Sequence, residues 1–147
     1  MVFKKFCKLP RAEKVLLLEA FYRLLAARLS LFIFPFRKIA PRMGDHMKET
    51  PEEEQPLYTQ TLLCIQRAIR RAARYSPWES SCLVQSIAGK MMLKCRKIPA
   101  TIYFGVAKAE KGNKKLKAHA WLRSGNIILT GQEGVSLSTF TVVSMFA

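Results

Sequence analysis

The chain has 147 residues, half of them hydrophobic, which is enough for one domain with a sizeable core and excludes disorder throughout. Its 25 basic and 10 acidic side chains give a formal net charge of +15. Such a balance predicts acidic partners, whether a peptide, a nucleic acid or an anionic membrane surface.

The cysteines show no C-x-x-C pair and no histidine at zinc-finger spacing, so we expect neither a metal nor a cofactor. They are Cys7, Cys64, Cys82 and Cys95. Four cysteines could form two disulfides, but their spacing does not match the disulfide framework of a secreted protein. Glu19 and Arg23 interrupt the N-terminal apolar run and no A-x-A site follows, so we expect no cleavable signal and a reducing, cytoplasmic location.

After a basic lead-in over residues 1–10, the sequence predicts a long helix over Arg11–Phe36 that is rich in leucine, alanine and phenylalanine. Charged residues divide it into apolar runs far shorter than the ~18 residues of a membrane span. We expect a helix, or a pair of helices, that packs on the core. The alternative is a helix that binds a partner or makes peripheral contact with a membrane. The phenylalanines of residues 32–36 are the part expected to be exposed for a partner.

Residues 38–56 contain three prolines, a glycine and five of the ten acids, which predicts a linker or a surface loop. We therefore divide the chain into an N-terminal helical region with its acidic linker, residues 1–56, and a core domain, residues 57–147. The core domain opens with a helix over Leu57–Tyr75 that carries a dense arginine cluster. Such a cluster is usually a solvated helix face, and a clamp for phosphates or carboxylates is the alternative.

The next predicted helix carries a cysteine in its first turn. Ser76-Pro77 ends the preceding helix, and either Ser80 or Ser81 is a good N-cap for the apolar helix that follows. Cys82 then lies at N1 or N2, where the unpaired amides and the positive end of the helix dipole favour thiolate over thiol. This position predicts a nucleophile. The alternative is an inert core cysteine, which is the commonest role of an unpaired cysteine.

The C-terminal part of the sequence predicts an antiparallel sheet. A lysine-rich loop over residues 107–115, with Gly112-Asn113 at its tip, joins the first two strands as a hairpin. A helix that delivers a nucleophile against such a sheet gives an α+β fold. The predicted strands are Thr101–Val106, Leu116–Arg123, Asn126–Thr130, and Val135–Phe146 as a fourth strand or an apolar tail.

A thiolate nucleophile needs a general base, and the chain has two histidines. The histidine in the acidic segment has no strand or helix pattern around it, whereas His119 lies on a strand that alternates like a half-buried one. His119 is therefore the candidate base. A turn at Ser124-Gly125 would place Thr130 opposite His119, and a turn at Gly125-Asn126 would place Gln132 there.

Together these pieces resemble a known family. Trp-x-x-x-Cys-Leu from Trp78, a strand ending in Gly105-Val106, and Ala118-His119-Ala120-Trp121 with its hairpin resemble the transglutaminase-like, papain-like cysteine proteases of lasso-peptide maturation. The likeness is greatest to the stand-alone leader peptidases of that family. It covers about residues 58–134, and its most specific pieces are the Cys82 context, residues 98–106 and the histidine motif.

This resemblance implies an acidic residue on the strand after the histidine, where it would orient the imidazole. Residues 127–132 contain no carboxylate, and Thr130 stands closest to that position. A hydroxyl can accept the imidazole N–H and fix its tautomer, but it cannot stabilise the imidazolium as a carboxylate would. The expected catalytic residues are therefore Cys82, His119 and Thr130.

The resemblance further implies a cysteine protease that cuts the leader from the core of a ribosomally made precursor peptide. Cys82 would attack the peptide carbonyl, with its own backbone N–H as an oxyanion donor, and His119 would protonate the departing amine. The implied partners are a small leader-binding protein and an ATP-dependent cyclase, with no specific nucleic acid. Two other classes stay open: a transglutaminase-like acyltransferase with an amine acceptor, and a non-enzymatic basic module that binds nucleic acid or membrane.

Overall fold

A computed structural model describes residues 8–109 and 115–147, and Cys7 and the predicted Gly112-Asn113 loop tip lie outside these ranges. A short 3-10 helix at Leu137–Thr139 precedes the last strand. The helices are α1 (Arg11–Ile33), α2 (Phe36–Met43), α3 (Pro56–Tyr75) and α4 (Cys82–Cys95). The strands are β1 (Thr101–Lys108), β2 (Leu116–Ser124), β3 (Ile127–Thr130) and β4 (Thr141–Phe146).

The four strands form one antiparallel sheet in the order β3-β2-β1-β4. Helices α3 and α4 pack on one face of this sheet, and α1 packs across these two helices. The apolar side chains of the three helices form the main core with those of the strands. Because side chains alternate along a strand, the opposite face carries a second, smaller cluster. Its buried members are Tyr103, Trp121 and Phe140. The architecture is the α+β fold that the sequence predicts.

The long N-terminal helix is shorter than predicted and is followed by a second helix. It ends at Ile33 because Phe34 precedes a proline and takes extended backbone angles. Residues 36–43 then form α2, part of which the sequence assigned to the linker. This short helix forms because Ile39 and Met43, four residues apart, bury their side chains in the main core.

The acidic segment after α2 is a surface loop that is fixed to the sheet. Met47 donates its backbone N–H to the carbonyl of Met145 in β4 at 2.8 Å. Residues 49–51 form hydrogen bonds with Arg123 of β2, which is only 5% exposed. Its five guanidinium N–H groups are all used. They reach the Tyr103 hydroxyl, the Glu49 carboxylate and the carbonyls of Thr50, Pro51 and Gly125.

Helix α1 shares the main core with residues 57–147 through one buried face, formed by Leu17, Ala20, Leu24 and Ala27. At the far end of α4, Arg96 pairs with Glu19 of α1 at 2.7 Å, and this hydrogen bond lowers the pKa of the Glu19 carboxyl. The domain boundary at residue 56 stays a prediction. Within the described ranges, no helix combines the length and apolar character that a membrane crossing requires.

We predict that Arg123→Met lowers the free energy of unfolding by about 3 kcal/mol, because it leaves three backbone carbonyls without their donor and the Glu49 carboxylate without its cation. Urea denaturation measures the change. The matched control is Arg74→Met at the exposed end of α3, which should change stability by no more than about 0.5 kcal/mol. Equal unfolding midpoints for the two variants would show that the Arg123 network does not stabilise the fold.

Candidate active site

Cys82 is the first residue of α4, one of the two positions that the sequence predicts. Ser81 is the N-cap, with extended backbone angles, and its hydroxyl accepts the N–H of Val84 at 3.5 Å. The turn before the cysteine is also tied to the helix, because Gln85 donates its side-chain N–H to the Ser80 carbonyl at 2.8 Å. Cys82 itself is half-buried. The helix start therefore holds a partly accessible thiol in a fixed place.

His119 lies on β2, and its half-buried ring packs against two aromatic side chains that also contact each other. The centroid of the His119 ring lies 6.2 Å from the centroid of the Trp121 ring and 5.1 Å from that of the Phe140 ring. On the hairpin side, the imidazole Nε2 lies 2.5 Å from the carbonyl oxygen of Gly131. Packing and this hydrogen bond together define the orientation of the imidazole.

The Gly131 carbonyl determines which imidazole nitrogen is basic. A carbonyl oxygen can only accept a hydrogen bond, so Nε2 carries the proton and Nδ1 is the free base in the neutral ring. Gly131 has a φ of +86°, and a Cβ there would lie 2.5 Å from the carbonyl oxygen of Ala120. Only glycine therefore lets the chain turn this close to β2.

Thr130 does not lie opposite His119 in the sheet, and that expectation is wrong. The hairpin turn is Gly125-Asn126, because Ser124 pairs with Ile127. A bulge after Leu122 then shifts the register, so that Thr130 pairs with Leu122. The same bulge interrupts the simple hairpin that would place Gln132 opposite the histidine. The Thr130 hydroxyl instead forms a 2.8 Å hydrogen bond with the hydroxyl of Ser86, and both residues are buried.

The Ser86–Thr130 hydrogen bond links the two halves of the site. Ser86 lies one helical turn after Cys82, and Thr130 immediately precedes Gly131, whose carbonyl contacts His119. The sequence offered one signal for Ser86, which is a polar residue one turn from the cysteine and next to the apolar face of the helix. For Gly131 the only signal was a glycine directly after a strand.

Cys82 and His119 line the same pocket, which has a volume of about 200 Å³. Its other walls come from α3, the second turn of α4 and the end of β3. Arg70 of α3 and Glu133 form an ion pair among the lining residues, and both are more than half exposed. Such an exposed ion pair contributes little to the stability of the fold, and either side chain can instead bind a charged group of a substrate. Within residues 8–109 and 115–147, no cluster of three or more His, Cys, Asp or Glu side chains could hold a metal ion.

A sequence model of the transglutaminase-like superfamily matches residues 25–145, from within α1 to the end of β4. The chain belongs to this superfamily. Transglutaminase-like proteins are typically cysteine-based enzymes, and they include cysteine proteases and acyltransferases. No curated protein and no solved structure matches the chain significantly.

In this transglutaminase-like domain, the pocket brings together what acyl transfer through a thioester requires. A thiol lies at a helix start, an imidazole has an oriented ring and a basic Nδ1, and the pocket leaves space for a carbonyl group. The backbone N–H of Cys82 belongs to the first turn of α4 and has no acceptor within the helix, so it can donate to an oxyanion.

We predict that neutral His119 is the Nε2–H tautomer, because Gly131 offers only an acceptor. Nitrogen-15 NMR of the imidazole at alkaline pH distinguishes the protonated from the unprotonated ring nitrogen. His46 is the internal control, since its Nε2 lies 2.9 Å from the Ser144 hydroxyl, which can donate or accept and imposes no tautomer. A proton on Nδ1 of His119 would contradict the proposed orientation.

We predict that Ser86→Ala and Thr130→Val each lower the free energy of unfolding by about 1–3 kcal/mol, because each leaves one buried hydroxyl unpaired. The double variant should lose clearly less than the sum of the two, since no unpaired hydroxyl remains. Ser138→Ala removes an exposed serine–serine contact and should change stability by no more than about 0.5 kcal/mol. Additive losses in urea denaturation would show that the two hydroxyls do not interact.

Proposed function

We propose that the protein is a cysteine peptidase that removes the leader from a ribosomally made precursor peptide during lasso-peptide maturation. The observation that carries the proposal is the shared pocket of Cys82, at a helix start, and His119, whose Nε2 is directed at Gly131. The substrate class is supported by the resemblance of the Trp78–Cys82 and Ala118–Trp121 motifs to leader peptidases. Membership of the superfamily supports the general reaction class, which is acyl transfer through a cysteine.

In the proposed reaction, Nδ1 of His119 takes the thiol proton and the Cys82 thiolate attacks the carbonyl carbon of the scissile bond. The Cys82 backbone N–H stabilises the oxygen as it becomes negative. The C–N bond then breaks while Nδ1 returns its proton to the departing amine, and a thioester remains on Cys82. Water, deprotonated by Nδ1, attacks this thioester and releases the leader as a carboxylic acid with the thiol restored.

In this scheme Thr130 acts through its neighbours. Its hydroxyl forms a hydrogen bond with the hydroxyl of Ser86, which fixes the end of β3. The Gly131 carbonyl, which orients His119, is fixed as a result. We therefore assign Thr130 and Ser86 as positioning residues and the Gly131 carbonyl as the third group of the site. The carbonyl replaces the acidic side chain that the resemblance implies.

We further propose that a small leader-binding protein presents the precursor and that an ATP-dependent cyclase closes the ring of the core peptide after the cut. The net charge of +15 supports an acidic leader or an acidic partner. Presentation raises the local concentration of the substrate and does not alter the chemistry of the cut. A reducing cytoplasm would keep Cys82 as a free thiol.

The proposal predicts that the protein, mixed with its precursor and the leader-binding partner in 18O-labelled water, releases an intact core and a leader with one labelled carboxylate oxygen, without ATP. Cys82→Ala and His119→Ala should slow the cut by about a thousandfold or more, because each removes chemistry and no large buried side chain. Cys64→Ala and His46→Ala are matched controls and should keep the wild-type rate. Mass spectrometry of the products measures both the bond cut and the label.

Three results would contradict the peptidase proposal. Cleavage at the same bond and rate by the Cys82→Ala variant would remove the cysteine from the mechanism. A leader that carries an amine adduct in place of a carboxylate would identify an acyltransferase. Binding that is lost in moderate salt, with no reaction and no effect of Cys82→Ala, would identify a basic binding module.

A further inference from the structure

The outward face of α1 is apolar along its whole length from residue 15 to residue 33. Every residue that is exposed in this range is hydrophobic, and Phe32 is 83% exposed. We call this face the outer seam. It consists of Val15, Leu18, Tyr22, Leu25, Leu29, Phe32 and Ile33.

The outer seam has the spacing of a helix-binding surface. From residue 15 to residue 32 its members follow one another at alternating intervals of three and four, which is the a/d pattern of a seven-residue repeat. It spans about 28 Å, or roughly five helical turns. The opposite face of α1 is already buried in the main core. A helix that is apolar on both sides is normally covered on both sides, so the outer seam is suited to a further molecule.

Charge decides what kind of molecule fits the outer seam. Residues 8–43, which contain α1 and α2, carry eight basic and two acidic side chains. Both acids pair with arginines outside this range, Glu13 with Arg71 at 3.6 Å and Glu19 with Arg96 at 2.7 Å. One of the basic residues, Arg28, pairs with Glu79 at 3.6 Å, so the two helices keep a large excess of positive charge. A second copy of the chain would therefore bring a basic surface against a basic surface, whereas a partner with acidic residues beside its own seam would be attracted.

The shape of the outer seam favours a helix over a membrane surface. A helix that lies in a bilayer interface has a broad apolar face and keeps its basic face in water. In α1 the exposed apolar face is only as wide as an a/d seam, and the opposite side of the helix lies in the protein core. We propose that the outer seam is the docking surface for one helix of a partner protein, with apolar residues in a seven-residue repeat and acidic residues beside them.

A pair of synthetic helical peptides tests this proposal. Both have about three heptads with leucine at a and d, and one carries glutamate and the other lysine at e and g. Fluorescence anisotropy with the full chain should show the glutamate peptide binding about tenfold or more tightly than the lysine peptide, and the difference should shrink as salt is raised.

Matched leucine variants locate the binding. Leu18→Gln and Leu29→Gln, at exposed positions of the outer seam, should each weaken binding of the glutamate peptide by about tenfold, as expected for central seam residues. Leu57→Gln on α3, where the side chain is 82% exposed, should leave binding unchanged. Circular dichroism confirms that the variants keep the wild-type helix content.

Several outcomes would overturn the proposal. One is equal binding of the two peptides, no binding of either, or no effect of Leu18→Gln. Another is binding to phosphatidylcholine–phosphatidylglycerol vesicles that Leu18→Gln abolishes while the glutamate peptide does not bind, which would assign the outer seam to a membrane. A third is a dimer in sedimentation velocity that Leu18→Gln dissociates, which would assign the outer seam to a second copy.

Discussion

The close packing of α4 on the β2–β3 hairpin is the contact on which the candidate site depends. Gly89 permits it, because a Cβ there would lie 2.6 Å from Leu122 Cδ2 and 3.1 Å from Ile69 Cδ1, and both of these side chains are buried in the core. A larger residue would have to push the helix outward. Cys82 lies seven residues earlier, about 10 Å along the helix axis. A tilt of α4 at this contact would therefore move the thiol relative to His119.

A backbone carbonyl in place of an acidic side chain is compatible with a cysteine nucleophile. A carboxylate carries a full charge and stabilises the imidazolium, whereas a carbonyl offers only a dipole. Serine relies strongly on its base because a hydroxyl hardly ionises, but a thiol ionises readily and is intrinsically nucleophilic. In the proposed reaction the third group therefore has mainly to orient the ring. The Gly131 carbonyl can do so, because the preceding Thr130 is fixed by its hydrogen bond to Ser86.

Features that depend on neighbouring residues were predictable from the sequence, and features that depend on distant contacts were not. The N-cap before Cys82 and the strand-forming residues around His119 are local signals, and the helix and the strand both form. The predicted half-buried alternation is wrong, because β2 is exposed over residues 116–118 and buried on both faces over residues 120–124. The bulge that redirects Thr130 is marked by no turn residue. Arg123 would ordinarily be placed at the surface, yet it is buried because its acceptors come from a loop about 70 residues earlier. Periodicity likewise could not show that only one apolar face of α1 is core.

Helix α1 also connects the outer seam to the turn that delivers Cys82. Phe21 packs edge-to-face on Trp78 with ring centroids 6.4 Å apart, and Arg28 lies 3.6 Å from Glu79. A bound helix would contact the side of α1 that faces away from the core. The Arg28–Glu79 pair is exposed and stabilises little, so a bound helix would change this turn mainly by moving α1 as a whole. The buried face of α1 and its ion pair to α4 oppose such a movement. Docking at the outer seam would therefore act by raising the local concentration of what the partner carries, and would leave the geometry of the thiol unchanged.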